Sequence, residues 1–539
     1  MPDPAAHAST ARSLSSWGVV AAFVAVAVGF AIRATGAAQP LGIDQGIFSA
    51  AAAALLRGDM LYLDAWDQKP PAIHLTYAAA FALAGQKTAV VFWMDFAASV
   101  LTGGFLALTA GLLAGRRAAA IAAAVWAIGS LPLLHYSLGG FLERAVPETF
   151  IIVFVTAAMA VAAAAARGRV RPTTAALLAG LAIGIAATYK PNALAAGPAV
   201  LLWFVLRRRA DDPPVSWMRA LVAFGAGVLV APAAIGVWLW SRGALDAAWV
   251  AVVEYNRAYL SVGVSGPGFF VQFLKACWLL VKTDVLWTCA FLAGLAALGR
   301  AIRDRRRYDA ELLAILWMGA ALAGVAASGS RLYTTYFIAT LPVLALLVAL
   351  SFARLTTRAG VWVWSALLVA ATAVVIVRTP VVERFTTTLE ADWSARRGAT
   401  PSYLERFGGY GNGRGFSARA NAELVAYLRE HSTADETVFI YGMQPGVYFE
   451  AHRRPANRFL WVGPILGRIL DRPDFRVEAF ISDLARSRPV WLIREDNNRD
   501  SQLGWTVQEE FARPDMAPLL SSYQPVTRIE DFAVYRRID

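Results

Sequence analysis

Apolar runs of 18 or more residues recur from Trp17 to Val377, separated by short arginine clusters. Each run is long enough to cross about 30 Å of hydrocarbon as a helix. In lipid, only helices and closed barrels satisfy their own backbone polar groups, and these runs lack the alternation of barrel strands. The sequence predicts an α-helical polytopic membrane protein. Composition agrees: 58% of residues are hydrophobic and 16% are charged, against about 25% charged in a soluble domain.

The net charge of +12 sits in clusters between the runs: Arg116–Arg117, Arg167/Arg169/Arg171, Arg207–Arg209 with Arg219, Arg300 to Arg307, and Arg354/Arg358. That distribution marks membrane orientation and excludes a nucleic-acid partner. With Arg12 it puts the N-terminus and all these clusters in the cytoplasm. The parity holds only if residues 70–86, which begin with Pro-Pro and contain His74, form an interfacial helix and not a span. Residues 268–283, with Lys275 and Lys282, read the same way. About 11 spans result: 16–36, 88–114, 118–135, 149–166, 173–190, 193–207, 216–241, 284–300, 310–327, 335–353 and 359–378. The first reads as an uncleaved signal anchor, since no small-residue cleavage site follows it. Cys277 and Cys289 lie in or near an apolar run, so no disulfide framework is expected.

From about residue 380 the composition changes. A linker, Gly408-Gly409-Tyr410-Gly411-Asn412-Gly413, precedes alternating segments. These predict helices near 418–431 and 475–487 and strands at 437–441, 458–462, 490–493 and 525–536. The expected division is residues 1–378, a transmembrane domain with a first outer loop at 37–87, and residues 379–539, a small C-terminal α/β domain. Parity makes the latter a periplasmic or extracytoplasmic domain, with the C-terminus on the outer side of a bacterial cytoplasmic membrane.

Ionisable residues gather in the loops of that outer side. The first loop holds Asp44, Gln45, Asp59, Asp64, Asp67, Lys69 and His74; the second holds Glu143, Arg144 and Glu148. Further on come 188-TYKPN-192 and 328-SGSRLYTTY-336. Charges at a membrane boundary are costly unless paired or functional. Lys69, Lys190 and Arg331 suit a phosphate near the headgroup plane. Asp44 or a neighbouring carboxylate suits proton abstraction from a hydroxyl. Tyr189, Tyr333 and Tyr336 suit a sugar face. No Gly-rich phosphate loop argues for a nucleotide-sugar donor.

Plainer roles compete. Asp59, Asp64 and Asp67 read as solvated loop carboxylates. Arg57 and Lys69 could snorkel. His135 and Tyr136 read as interface anchors, and Glu143 with Arg144 as a surface pair. His452 with Arg453–Arg454 reads as a solvated turn. No cofactor is expected. A divalent metal is the one candidate, and His74 has no companion histidine at ligand spacing.

The arrangement resembles the GT-C glycosyltransferases that use polyprenyl-phosphate sugars, including the protein O-mannosyltransferases, the lipid A aminoarabinose transferases and the bacterial family 39-like branch. The likeness covers about residues 16–378 and is strongest over 42–86. It rests on Asp44-Gln45 after the first span, on 48-FSAAAAALLRGDMLY-62, on 69-KPPAIHLTYAAAFALAG-85, on 147-PETF-150, on 184-GIAATYK-190 and on 333-YTTYFIATLPVLALLVA-349. Gln45 stands where the family usually has Glu. The resemblance implies a GT-C fold, Asp44 as general base and Lys69 as donor-phosphate contact. Glu148 and Lys190 match acidic and basic positions of the family. With Gln45, Glu143, Arg144, His74 and the tyrosines positioning sugar or acceptor, the expected activity is inverting transfer from a polyprenyl-phosphate sugar to a protein, lipid or glycan hydroxyl. A transporter of a lipid-linked sugar and a non-catalytic assembly protein are the alternatives. The former predicts charges buried mid-span or inverted repeats.

Overall fold

The computed structural model describes residues 16–207, 216–408, 415–496, 499–500 and 505–538. Arg12, Arg208, Arg209 and most of the Gly408–Gly413 linker lie outside the described residues. In chain order the helices are α1 (Ser16–Ala34), α2 (Ile43–Leu56), α3 (Ala72–Ala84), α4 (Thr88–Ala114), α5 (Arg116–Gly129), α6 (Pro132–His135), α7 (Pro147–Ala166), α8 (Pro172–Ala187) and α9 (Ala196–Arg207). Then come α10 (Trp217–Ser241), α11 (Leu245–Trp249), α12 (Asn256–Ser261), α13 (Gly266–Thr283), α14 (Val285–Arg303), α15 (Asp309–Ala326), α16 (Leu341–Ala353), α17 (Arg358–Arg378) and α18 (Val381–Ala395).

Among the described residues, eight helices are long and apolar enough to cross a membrane. A ninth crossing results if 245–283, bent by 93°, is one broken span. The expected number was about 11. All the expected segments are helical, but those at 118–135, 173–190 and 193–207 shorten to helices of 14, 16 and 12 residues. Prolines explain two of the stops. Residues preceding proline are driven out of the helical region: Leu131 before Pro132 and Lys190 before Pro191 are both extended.

The short α8 is held lengthwise against α10 by glycine. A Cβ on Gly180 would lie 2.1 Å from the Phe224 carbonyl oxygen, and one on Gly184 2.3 Å from that of Val228. This small-xxx-small spacing lets two backbones approach where lipid supplies no hydrophobic drive. At one end of the bundle the basic clusters converge on two buried carboxylates. Asp309 takes Arg167 and Arg207; Glu311, fully buried, takes Arg300 and Arg354. The clusters grouped by charge alone therefore do share one end.

At the opposite end sit α2, α3 and the C-terminal region. The latter carries α19 (Ala418–His431), α20 (Gly446–Ala451) and α21 (Val477–Ser487) on a five-stranded sheet. Its strands are β1 (Thr437–Tyr441), β2 (Arg454–Pro455), β3 (Trp491–Glu495), β4 (Tyr523–Ile529) and β5 (Phe532–Arg537), in the order β2-β1-β3-β5-β4. β1 is parallel to β2 and β3, and β5 is antiparallel to β3 and β4. Residues 458–462, expected as a strand, are irregular. Phe459, Leu460, Trp461 and Val462 are instead buried in the core shared with the bundle. The apolar run was real, but its partner is a loop and not a sheet. Arg453 corrects another expectation: it is buried and caps α19 through the Leu428 and Ser432 carbonyls.

A Gly184→Leu substitution should lower stability by about 2 kcal/mol or more, since the backbone facing it cannot yield. Gly225→Ala, which opens onto empty space, should be neutral or slightly stabilising. Thermal unfolding in detergent reads both, and equal effects would contradict the packing described.

Candidate functional site

α2 is buried from Gln45 to Ala54. Its alanine content follows from what lies on either side. A Cβ on Gly46 would sit 2.7 Å from the Gly446 nitrogen of α20, so helix and C-terminal region meet backbone to backbone. Gln45 donates its amide to the carbonyls of Phe141, Leu142 and Arg144 at 3.0, 3.1 and 2.6 Å. Arg144, also buried, donates to the carbonyls of Gly36, Gln39 and Pro40. Gln45 and Arg144 thus brace the loops around Asp44. The amide nitrogen of Gln45 is fully engaged by these carbonyls, while its buried Oε1 has no partner among the described residues; Arg144 is no surface partner of Glu143.

Asp44 stands in the first turn of α2, where the helix dipole favours a negative charge. The loop that follows brings Asp67 and Lys69 back toward it. Tyr62, at a positive φ of 71°, donates its hydroxyl to the Lys69 carbonyl at 2.9 Å. Asn256 of α12 donates to the Gln68 carbonyl at 2.7 Å, and the Ala72 amide donates to the Thr188 carbonyl at 3.3 Å. Lys69 is therefore held by backbone bonds on both sides, with Pro70–Pro71 limiting the turn into α3. Upstream, the Trp66 amide donates to the Arg458 carbonyl at 2.8 Å. The Trp66 ring packs among Tyr255, Phe459, Trp461 and Phe475 at 4.9–5.8 Å.

Asp67 was expected to be solvated, yet it is 1% exposed. Its carboxylate accepts from His74 Nε2 at 2.9 Å. His74 is fully buried and is Asp67's partner. Among the described residues no three His, Cys, Asp or Glu side chains group as metal ligands. Asp59 is also engaged, by Arg57 at 3.1 Å and by Arg454 of β2 at 2.9 Å. Asp64 remains an exposed loop residue that accepts from the Met60 amide.

Glu148 pairs with Lys190 at 2.5 Å, and the Lys190 ammonium lies 3.9 Å from the Tyr336 ring centre. Charges couple this pair to the first loop. Burial raises the Asp44 carboxyl above its ordinary value; Lys69 and Lys190 oppose that rise, while Asp67 and Glu148 add to it. Burial disfavours the Lys69 ammonium, but Asp44, Asp67, Tyr336 and Glu148 outweigh it and raise the pKa. Lys190 is lowered, by burial first and then by Lys69, against Glu148. Three carboxylates therefore face two ammonium groups around one point, with Asp67 and Glu148 buried and Asp44, Lys69 and Lys190 half-buried. Next to it lies a narrow recess that combines Glu148, Asn192 and Tyr336 with apolar Ile151, Val155 and Trp317.

The other expected residues stand apart. Arg331 stacks on Tyr259, 3.6 Å from the ring centre. Tyr189 is buried against Phe150, its hydroxyl 2.6 Å from that of Thr76. Tyr333, 44% exposed, meets Tyr336 edge-on. Glu143 accepts from the Thr334 hydroxyl at 2.9 Å. His135 is no interface anchor: it is hydrogen-bonded to Asp284, the N-cap of α14. Asp67–His74 and His135–Asp284 are among the polar pairs that sequence reasoning missed. For the first, a signal existed: a carboxylate and a histidine flanking Lys-Pro-Pro within eight residues.

Residues 68–240 match the family model described as dolichyl-phosphate-mannose-protein mannosyltransferase. No curated protein sequence matches the chain. Among solved structures, the chain is similar to ArnT from Cupriavidus metallidurans bound to undecaprenyl phosphate. Identity is 16%, coverage 97% of this chain and 98% of that one, and the TM-score 0.63. The fold is GT-C. A second GT-C structure, the Archaeoglobus fulgidus oligosaccharyltransferase tethered to an acceptor peptide, matches at 13% identity. It covers 97% of this chain and 74% of that one, with a TM-score of 0.50. The GT-C likeness runs over nearly the whole chain, beyond the 16–378 from which it was first read.

Trp66→Ala should cost about 3–5 kcal/mol, as for other fully buried aromatics, and should open residues 57–71 to protease. Trp66→Phe should retain most of the protection. Unfolding midpoints and limited proteolysis in detergent check this; an unchanged cleavage pattern in Trp66→Ala would contradict it.

Proposed function

We propose that the protein is an inverting glycosyltransferase that moves a sugar from a polyprenyl-phosphate donor to an acceptor hydroxyl on the outer face of a bacterial cytoplasmic membrane. The observation that carries this reading is the charge coupling of half-buried Asp44 and Lys69, beside the Glu148–Lys190 pair and a largely apolar recess. A lipid phosphate needs cations at the end of an apolar recess, and a hydroxyl nucleophile needs a base within reach. The GT-C fold, and the undecaprenyl phosphate bound by ArnT, support the same donor class. The one-end convergence of the arginine clusters supports the outer face for the opposite end.

In this mechanism the Asp44 carboxylate takes the proton of the acceptor hydroxyl as its oxygen attacks the anomeric carbon. The bond from that carbon to the phosphate oxygen breaks, and polyprenyl phosphate leaves with the electron pair. The single displacement inverts the anomeric centre. Lys69 neutralises the leaving phosphate. Lys190 joins it when the phosphate displaces Glu148, which is then free to meet a sugar or acceptor hydroxyl. Tyr336, whose ring lies against the Lys190 ammonium, flanks that point. Residues 379–539 act as an extracytoplasmic domain that supports the first loop.

The test is transfer by the purified chain from a panel of polyprenyl-phosphate sugars. Asp44→Asn should lower the rate by about 10²–10⁴-fold, and turnover at the parent rate would remove Asp44 as base. Movement of the lipid-linked sugar across the bilayer without chemical change would overturn the reading altogether. Activity should also fall as pH drops through the Asp44 pKa, because the base must be ionised. That pKa is raised, so the acidic limb should lie above the ordinary aspartate value of about 3.9. Lys69→Gln removes a cation that lowers it, so the limb should move to higher pH.

A further inference from the structure

A cavity of about 440 Å³ lies between the C-terminal region and the turn from α3 to α4, within the range of about 300–1,000 Å³ typical of small-molecule sites. Lys87 and Thr88 line it from the turn, Ala426 and Arg429 from α19, and Glu450 and His452 from α20 and the residue after it. Its floor is the Phe449 ring, stacked on Phe81 of α3 with ring centres 4.7 Å apart. α4 is long and apolar enough to cross a membrane and begins at Thr88, so the cavity stands at the level where that helix enters lipid. Leu83 near the end of α3 is 89% exposed and Trp93 in α4 is 50% exposed. A bilayer covers such apolar surface, and tryptophan favours the headgroup level.

The polar groups of the cavity are held in place. Arg429 donates to the Glu450 carbonyl at 2.5 Å, and the Thr88 side chain is hydrogen-bonded to the Glu450 carboxyl. Burial pushes that carboxyl up to about 7, although Arg429 and Thr88 oppose the rise. His452 is kept below its ordinary value by burial, then by Arg429 and Arg453, so it adds no charge at neutral pH. Lys87 and Arg429 therefore face Glu450 alone, which leaves one positive charge in excess when Glu450 is ionised and two when it is not.

That excess calls for a ligand with one negative charge. A phosphate diester supplies it and suits the lysine and arginine. A zwitterionic headgroup would leave the excess unmatched. Glu450 and Thr88 in turn suit a hydroxyl group, which donates to a carboxylate and accepts from a hydroxyl. The position at the start of α4, with exposed Leu83 beside the turn, places apolar chains where lipid already lies. We propose that this cavity binds the headgroup of an anionic phospholipid, a phosphate diester bearing a free hydroxyl such as that of glycerol, and thereby ties the C-terminal region to the bilayer beside α4. The site is separate from the Asp44–Lys69 cluster and stands whether or not the glycosyl-transfer reading holds.

The full chain is placed in nanodiscs of phosphatidylcholine, alone or with one part in three of phosphatidylglycerol, and amide hydrogen exchange is followed by mass spectrometry. Amides of residues 84–90 and 446–452 should exchange about tenfold more slowly with phosphatidylglycerol present, as for a ligand at about ten times its Kd. Lys87→Gln combined with Arg429→Gln should abolish the difference. So should Ala426→Trp, which fills the cavity without removing a hydrogen bond. Arg303→Gln with Arg305→Gln, at the opposite end of the bundle, should leave it intact. Glu450 loses its charge on protonation, so the difference should grow as pH falls from about 8 to about 6.5, and Glu450→Gln should remove that dependence. Equal exchange in the two kinds of nanodisc, equal protection by phosphatidylethanolamine, or protection that survives both the double variant and Ala426→Trp would overturn the proposal. Protection by water-soluble glycerophosphoglycerol in discs of phosphatidylcholine alone would also overturn it, by assigning the cavity to a free phosphate ester.

Discussion

The site depends on the backbone bond between Trp66 and Arg458 and on the aromatic cluster around it. Residues 57–71 are a loop whose own internal bonds are few, so the loop alone cannot fix Lys69. Tyr62, Asn256 and Thr188 hold the segment after Trp66, and the C-terminal region holds Trp66 itself. α2 is pressed between bundle and sheet at the Gly46–Gly446 contact. Asp44 and Lys69 thus belong to different segments that the same packing brings together. Burial at that point is what makes their charges felt, since low dielectric strengthens every interaction between them.

With three carboxylates and two ammonium groups, the cluster carries more negative than positive charge as it stands. An anion entering it must compete with Glu148 for Lys190, or with Asp44 and Asp67 for Lys69. Burial already raises the Asp44 carboxyl, and an anion brought beside it would raise it further. Ionisation of Asp44 and the charges around it are therefore coupled.

Much of this was legible in the sequence. Long apolar runs and arginine clusters state the membrane class and group the loops by end, because both rules act on local composition. Asp44 and Lys69 could be singled out from their place after the first span and before Pro-Pro. Other features were hidden because they depend on contacts far along the chain. Asp67 looks like any loop carboxylate until His74 and the core close over it. Gln45 looks like a site residue alone, yet the carbonyls of 141–144 take up its amide nitrogen and make it a brace as well. The run 458–462 has the composition of a strand, yet it is buried by a tryptophan from the first loop. Span lengths failed where prolines cut α5 and α8 short, since hydropathy averages over a break that one residue imposes.

The bond from Asp59 to Arg454 joins residues 395 positions apart. A membrane chain is inserted from its N-terminus as it is made, so the first loop emerges long before its supports exist. Through most of synthesis Trp66 has no aromatic pocket, and Lys69 has only part of its backbone seat. The first loop thus lacks these supports until residues 454–475 have been made.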